Sequence, residues 1–200
     1  MNMKNILIAT GNPGKRNEIL SALLPIDGYG FVSLDEIGID LDVAETGTSY
    51  EENAMIKAQA YFEHAKMPVI AEDSGIEVFA LQDELGIHTN RWGAGEKASD
   101  EEWLDFFMNR MKHEKDRAAR FISHVIYMDD EGHQTFEGEC LGEITHDIEG
   151  PFKAGIQLSA VFKPLGEDLV YSAMDEERKN SLSHRGKGVR QLRAWLMKDR

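Results

Sequence analysis

The sequence predicts an α/β fold built on a mixed β-sheet, and three observations carry that prediction. Apolar runs of strand length alternate with stretches of helical period. Two of the helical stretches open on capping boxes, Ser49 with Glu52 and Ser99 with Glu102. Two long alternating segments are joined through Asp129-Asp130-Glu131-Gly132, a hairpin signature that makes at least one strand pair antiparallel.

The elements follow in order. Asn5 to Thr10 reads as a buried strand that stops at Gly11-Asn12-Pro13-Gly14. A helix follows from about Lys15 to Leu24, with Ile19, Leu20, Leu23 and Leu24 as its apolar stripe. Phe31 to Leu34 is a short strand, followed by an acidic loop holding Glu45-Thr46-Gly47. The first capping box opens a long helix from Tyr50 to about His64. Pro68 leads into a strand from Val69 to Ala71, which ends in the turn-like Glu72-Asp73-Ser74-Gly75 before Ile76 to Leu81 resumes as strand. The second capping box opens a helix whose apolar face holds Trp103, Leu104, Phe107 and Met111. Phe121 to Met128 and Gln134 to Ile144 form the hairpin. After an irregular stretch, Asp175 to Asn180 reads as a helical turn and Val189 to Lys198 as the closing helix.

Composition bounds the function. Two hundred residues, 42% of them hydrophobic, suit one domain or two lobes sharing a core. Lys+Arg 22 against Asp+Glu 36 leaves a net charge of −14, which disfavours nucleic-acid polymers and anionic membranes as partners. The single cysteine, Cys140, excludes an internal disulfide. The run Ile6-Leu7-Ile8-Ala9 is too brief for a signal-peptide core, and no apolar run is long enough to span a membrane, so a cytoplasmic protein is expected.

Four segments carry side chains suited to chemistry. Thr10-Gly11-Asn12-Pro13-Gly14-Lys15 would present free backbone N–H groups and a positive helix end to phosphate, or would simply make a tight strand-to-helix turn. It is not a Walker loop, because the glycine spacing is too short and Arg16 follows the lysine. Glu45-Thr46-Gly47 and Glu72-Asp73-Ser74-Gly75 can converge at the carboxyl edge of a sheet, where open α/β sheets bind ligands, or can serve as solvated turns. One or two such carboxylates, completed by waters and substrate phosphates, suit Mg²⁺. Asn53 and Lys57 share one helix face, and Lys57 either holds a phosphate or faces solvent. Lys179-Asn180-Ser181-Leu182-Ser183-His184-Arg185-Gly186 concentrates donors against the acidic background, or starts a basic helix capped by Ser183. There is no His-Glu-x-x-His, Gly-x-Ser-x-Gly or Gly-x-Gly-x-x-Gly, and Trp92, Trp103 and Trp195 read as packing.

As an ordered set, these segments point further. Thr10 to Lys15, Glu45 to Gly47, Glu52 to Ala58, Asp73 to Gly75, Phe136 to Gly138 and Ser183 to Gly186 run through nearly the whole chain. Their order resembles the inosine triphosphate pyrophosphatase family. The resemblance implies an elongated mixed β-sheet with flanking helices, forming two lobes around a central nucleotide cleft within a single domain of residues 1–200. It implies a Mg²⁺-dependent hydrolase, a homodimer, that cleaves deaminated purine nucleoside triphosphates such as ITP, dITP and XTP to the monophosphate and pyrophosphate. Such a reaction clears those nucleotides from the pool.

Carried over by position, the resemblance implies that Thr10, Gly11, Asn12 and Lys15 hold the triphosphate and that Glu45, Glu72 and Asp73 bind or orient Mg²⁺. Asp73 would activate the attacking water, and Lys57 and Ser74 would sit near phosphates. Lys179, His184 and Arg185 would contact the nucleotide, the last two nearer the base.

The chain departs from the family pattern in three places. Glu72 stands where the family has Asp, and Thr89-Asn90-Arg91-Trp92 replaces Ser-Ala-Arg-Tyr while keeping the arginine and an aromatic. In the base loop, Ile156 stands for the stacking aromatic and Ser159 for the carboxylate, with Phe152 upstream as a candidate replacement ring. Those two changes leave open altered base specificity toward a modified or pyrimidine nucleotide, or a nucleotide-binding protein without turnover.

Overall fold

The computed structural model describes residues 3–82, 84–85, 93 and 97–198, so the Thr89 to Trp92 segment lies outside the described residues. Among the described residues, six strands, β1 (Lys4–Ile8), β2 (Tyr29–Ser33), β3 (Val69–Val78), β4 (Ala118–Asp129), β5 (Gly132–Ile144) and β6 (Phe162–Pro164), form one sheet in the order β2-β1-β3-β4-β5-β6. β1 is parallel to β2 and β3, whereas β3 to β6 pair antiparallel, so the sheet is mixed. The described residues also form five α-helices: α1 (Pro13–Leu23), α2 (Tyr50–Ala65), α3 (Asp100–Met111), α4 (Glu176–Leu182) and α5 (His184–Leu196).

Local chemistry explains most boundaries. Asn12 caps α1 by accepting from the Lys15 N–H, and Pro13 takes the first helical position, where its missing N–H costs nothing. Ser49 caps α2, and Ser99 with Glu102 forms a complete capping box on α3. The expected hairpin is present, with Gly132 at φ +133° closing it.

Three expectations change. The Glu72-Asp73-Ser74-Gly75 segment is not a turn but the middle of β3, which pairs with β4 residue for residue from Val69↔Met128 to Val78↔Ala119. A ladder ten residues long outweighs the turn preference of Asp-Ser-Gly. The closing helix begins at His184 rather than Val189, because Ser183 caps it by accepting from the Gly186 N–H. The short strand β6 has too few residues to show a period in sequence.

The alternation of β3 sorts its side chains between the two faces. Val69 and Ala71 join Ala54, Ala58 and Tyr61 of α2 in one buried cluster. On the opposite face, Ile70 joins Ile19 and Leu23 of α1 and Val189, Leu192 and Leu196 of α5. A third cluster gathers Trp103, Phe107 and Met111 of α3 with Ile76, Val78, Phe162 and Tyr171 at the far end of β3 to β6.

Helix α5 lies directly on β5 at Gly138. A Cβ placed there would meet the His184 carbonyl at 2.0 Å and the Gly188 nitrogen at 2.7 Å, and both are backbone atoms that cannot swing away. Overpacking of this kind costs about 1–3 kcal/mol and shifts the backbone. Gly138→Ala is therefore expected to lower the urea-unfolding free energy by about 2 kcal/mol or more, with the loss read from the unfolding midpoint.

Candidate active site

Because successive β3 residues face opposite sides, Asp73 continues the row that packs on α2, and Glu72 and Ser74 continue the row that faces α1 and α5. On the α2 side, the Asn53 side-chain Oδ1 accepts from the Gly47 N–H at 2.8 Å and pins the acidic loop against the helix. One turn on, Lys57 Nζ donates to Glu45 Oε1 at 3.0 Å and to Asp73 Oδ1 at 2.8 Å. Two carboxylates thus converge on one cation. Burial pushes the Asp73 carboxyl above the usual range, more than the charge of Lys57 pulls it down. Burial alone would lower the Lys57 ammonium, but Asp73 and then Glu45 more than offset it and raise it.

On the other side, Glu72 is fully enclosed. Its Oε1 accepts from Ser123 Oγ at 3.0 Å and Arg185 Nε at 3.2 Å, and its Oε2 lies 3.2 Å from Lys15 Nζ. Burial would raise this carboxyl, yet the charges of Arg185, Lys15 and Lys57 hold it well below the ordinary value. Arg185 also donates through Nη2 to Ser74 Oγ at 2.8 Å. Glu18, one turn after Lys15 on α1, binds Lys179 with one oxygen and Arg185 with the other. Lys15, Lys57, Lys179 and Arg185 are therefore matched by Glu18, Glu45, Glu72 and Asp73.

Lys15, Glu18, Glu45, Asp73, Lys179 and Arg185 line a cleft that continues toward the third apolar cluster. There the His184 imidazole stacks on Phe121 with centroids 4.6 Å apart and planes 12° apart, and Tyr171 flanks Phe121 at 5.8 Å. Burial, and then the Arg185 charge, push His184 down to about 3, so it is neutral at pH 7. Facing these rings are Ile156, Leu158 and Ser159, whose buried hydroxyl has no hydrogen-bond partner.

The structure thus brings Lys15, Glu45, Asp73, Ser74, Ile156, Ser159, Lys179, His184 and Arg185 to one cleft, with Lys57 behind Glu45 and Asp73. Glu72 takes a different place from the one expected of a metal ligand. Strand alternation turns it away from Asp73; its Oε1 accepts from Ser123 and Arg185, and its Oε2 lies 3.2 Å from Lys15 Nζ without a hydrogen-bond partner. Among the described residues, no group of three or more His, Cys, Asp or Glu gathers as a metal cage. Thr10 accepts from the Asn12 N–H at 3.1 Å and, like Gly11 and Asn12, does not line the cleft. Phe152 is 38% exposed and does not line it either; among the described residues, the rings that line the cleft are those of Trp103, Phe121, Tyr171 and His184. Sequence reading missed Glu18, Phe121 and Tyr171. Only Glu18 carried a signal, as an acid three positions after Lys15 on the same helix face.

Fold and site together define an α/β protein whose cleft sets Lys15, Lys179 and Arg185 beside the Glu45–Asp73 carboxylate pair. The chain belongs to the Ham1 family, whose model matches residues 6–195. It is 36% identical over 199 residues to a dITP/XTP pyrophosphatase of Staphylococcus aureus, an alignment that covers 98% of each chain. Among solved structures, the Staphylococcus aureus Ham1 protein matches with a TM-score of 0.81 at 33% identity, over 98% of this chain and 100% of that one. A HAM1 protein from Coxiella burnetii matches with a TM-score of 0.82 at 28% identity and the same coverage.

Removing one partner of a buried ion network leaves the others uncompensated, at about 3–5 kcal/mol. Glu18→Gln sets an amide N–H₂ against Lys179 or Arg185 and is expected to lower unfolding stability by about 3 kcal/mol in chemical denaturation.

The buried His184 predicts an acid-labile component. Its folded value of about 3 lies below the unfolded 6.5, so the unfolded chain binds the extra proton between those limits. The stability it contributes is complete above pH 6.5 and is lost as pH falls toward 3, with a slope approaching about 1.4 kcal/mol per pH unit. His184→Phe is expected to flatten that part of a stability-versus-pH profile measured by urea unfolding.

Proposed function

We propose that this chain is a nucleoside triphosphate pyrophosphatase that cleaves deaminated purine nucleotides such as ITP, dITP and XTP to the monophosphate and pyrophosphate. The observation that carries this reading is the Asp73–Lys57–Glu45 cluster set beside Lys15, Lys179 and Arg185 in one cleft with an aromatic end. The names of its relatives in Staphylococcus aureus support the choice of substrate. Lys15, Lys179 and Arg185 would bind and orient the phosphates, and hydrolysis of an anhydride depends mainly on such positioning and charge neutralisation.

Glu45 and Asp73, already converging on the Lys57 ammonium, fit a hard divalent cation of the Mg²⁺ type, which takes one or two carboxylates together with waters and phosphates. Such an ion would supply neutralisation of the phosphate charge. Asp73, its carboxyl raised by burial, is the group suited to accept the proton of the water that attacks the α-phosphorus. The new P–O bond forms from that water, and the bond from the α-phosphorus to the bridging oxygen breaks, so the oxygen leaves with pyrophosphate. Lys57 would hold Asp73 in place and meet the phosphate charge.

At the other end, the base would lie among Phe121, Tyr171, His184 and the Ile156–Ser159 wall. The hydroxyl of Ser159 both donates and accepts, so it tolerates a wider set of base edges than a carboxylate does. The reading also places the enzyme in the cytoplasm as a homodimer with residues 1–200 as its single catalytic unit.

A panel of purine and pyrimidine triphosphates, assayed for pyrophosphate with Mg²⁺, tests the proposal. ITP, dITP and XTP are expected to release pyrophosphate and the monophosphate, and Asp73→Asn to lower kcat by at least about 10²-fold. Absence of pyrophosphate from every triphosphate, or an unaffected Asp73→Asn, would sink it.

A further inference from the structure

One buried side chain in the cleft is bound at only one of its two polar atoms. Asn53 is 2% exposed yet lines the cleft beside Glu45, Asp73, Ser74 and Gly75. Its Oδ1 accepts from the Gly47 N–H at 2.8 Å. A backbone N–H is satisfied only by an acceptor, so the amide oxygen must face the loop and the amide nitrogen must face away from it. The fit is close, since a Cβ on Gly47 would lie 2.7 Å from that oxygen. Among the described residues, Nδ2 has no hydrogen-bond partner. Pinning the loop needs only the oxygen. A donor held in so buried a side chain and left open on the cleft is a group for a ligand to satisfy.

The level of Asn53 along the cleft identifies the ligand atom. β3 crosses the cleft from Asp73, where the α-phosphorus is attacked in the proposed reaction, to Ile76, which pairs with Phe121 of the base end. Three residues of strand span about 10 Å. The sugar of a 5′-nucleotide lies between its α-phosphorus and its base, and so at the level of Ser74 and Gly75. On the facing helix, Lys57 bonds Asp73, and the Tyr50 ring closes over Gly75, where a Cβ would strike it. Asn53 lies between those two residues, about 6 Å along α2 from Lys57 toward Tyr50. It stands at the sugar, with a phosphate-side lysine one turn behind it and the rings of the base end ahead.

We propose that Asn53 is the sugar-binding residue of the cleft, its Nδ2 donating to a ribose hydroxyl while its Oδ1 holds the loop that carries Glu45. The proposal rests on the nucleotide reading of the cleft and adds recognition of the sugar to it.

Equilibrium binding of non-hydrolysable probes tests this without turnover. The parent probe is inosine triphosphate with a methylene bridge between the α and β phosphates, and its 2′-deoxy and 3′-deoxy forms each lack one hydroxyl. Wild-type protein is expected to bind at least one deoxy form about tenfold more weakly than the parent, the worth of one well-placed hydrogen bond. In Asn53→Ala that gap is expected to shrink to within about twofold, because removing the amide and removing the hydroxyl break the same bond. Loss of the Gly47 contact acts on all three probes alike and cancels from the comparison. Asn53→Leu, close to asparagine in shape and without polar atoms, repeats the comparison should the alanine variant fail to fold.

Equal affinity of wild type for all three probes would overturn the proposal without any variant. A tenfold gap that persists in Asn53→Ala or Asn53→Leu would give the hydroxyl a different partner and overturn it too. The nucleotide reading fails separately: wild-type protein would then bind no inosine probe and release no pyrophosphate, whereas pyrophosphate release with three equal affinities defeats the sugar contact alone.

Discussion

The unbroken pairing of β3 with β4 is the constraint on which the site depends. Were the chain to turn at Asp73-Ser74-Gly75, Glu72 and Asp73 could project together into one loop. Held in a ladder, they must face opposite sides of the sheet. That single geometric fact divides the charged groups into two sets. Asp73 meets Lys57 and Glu45 on the α2 side, while Glu72 meets Lys15 and Arg185 on the α1 and α5 side. Ser74, two residues after Glu72, joins the second set through Arg185.

The electrostatics follow from this division. A net charge of −14 is unpromising for a polyanion site, and the cleft is not simply a basic patch set against it. Its cations are each held by an internal carboxylate, so the site is matched rather than positive. Four ammonium or guanidinium groups crowded together without those carboxylates would repel one another and pay a large cost of burial. Glu18 and Glu72 relieve that cost for Lys15, Lys179 and Arg185, and they hold the donors in fixed positions before any ligand arrives. Preorganised donors of this kind suit phosphoryl chemistry, in which the protein contributes positioning and charge more than covalent steps.

The apolar end is organised by a different rule. Phe121 on β4, Tyr171 before α4 and His184 at the start of α5 are far apart in sequence and form one stack. His184 links the two ends: its backbone begins the helix that carries Arg185, and its neutral ring belongs to the aromatic pocket. The close seat of α5 on Gly138 keeps that link in register with the sheet. The Phe-Glu-Gly motif of β5 thus serves helix packing through its glycine.

By itself the sequence determined the elements with strong local chemistry. Ser49 and Ser99 cap the helices they open, Ile19 and Leu23 of α1 and the apolar stripe of α3 face the core, and the Asp129-to-Gly132 turn makes a hairpin, because each of these depends on residues a few positions apart, whereas Leu24 lies exposed beyond the end of α1. The ordered motifs likewise pointed to Lys15, Lys57, Asp73, Lys179, His184 and Arg185, which occupy one region of the fold. Tertiary structure alone decided which carboxylate serves which cation, since strand parity, and not proximity in sequence, separates Glu72 from Asp73. It also decided the rings that line the cleft and brought Glu18 across to α4 and α5, 161 and 167 positions away along the chain. Contacts at that separation arise only when the sheet has closed, so no local pattern can announce them.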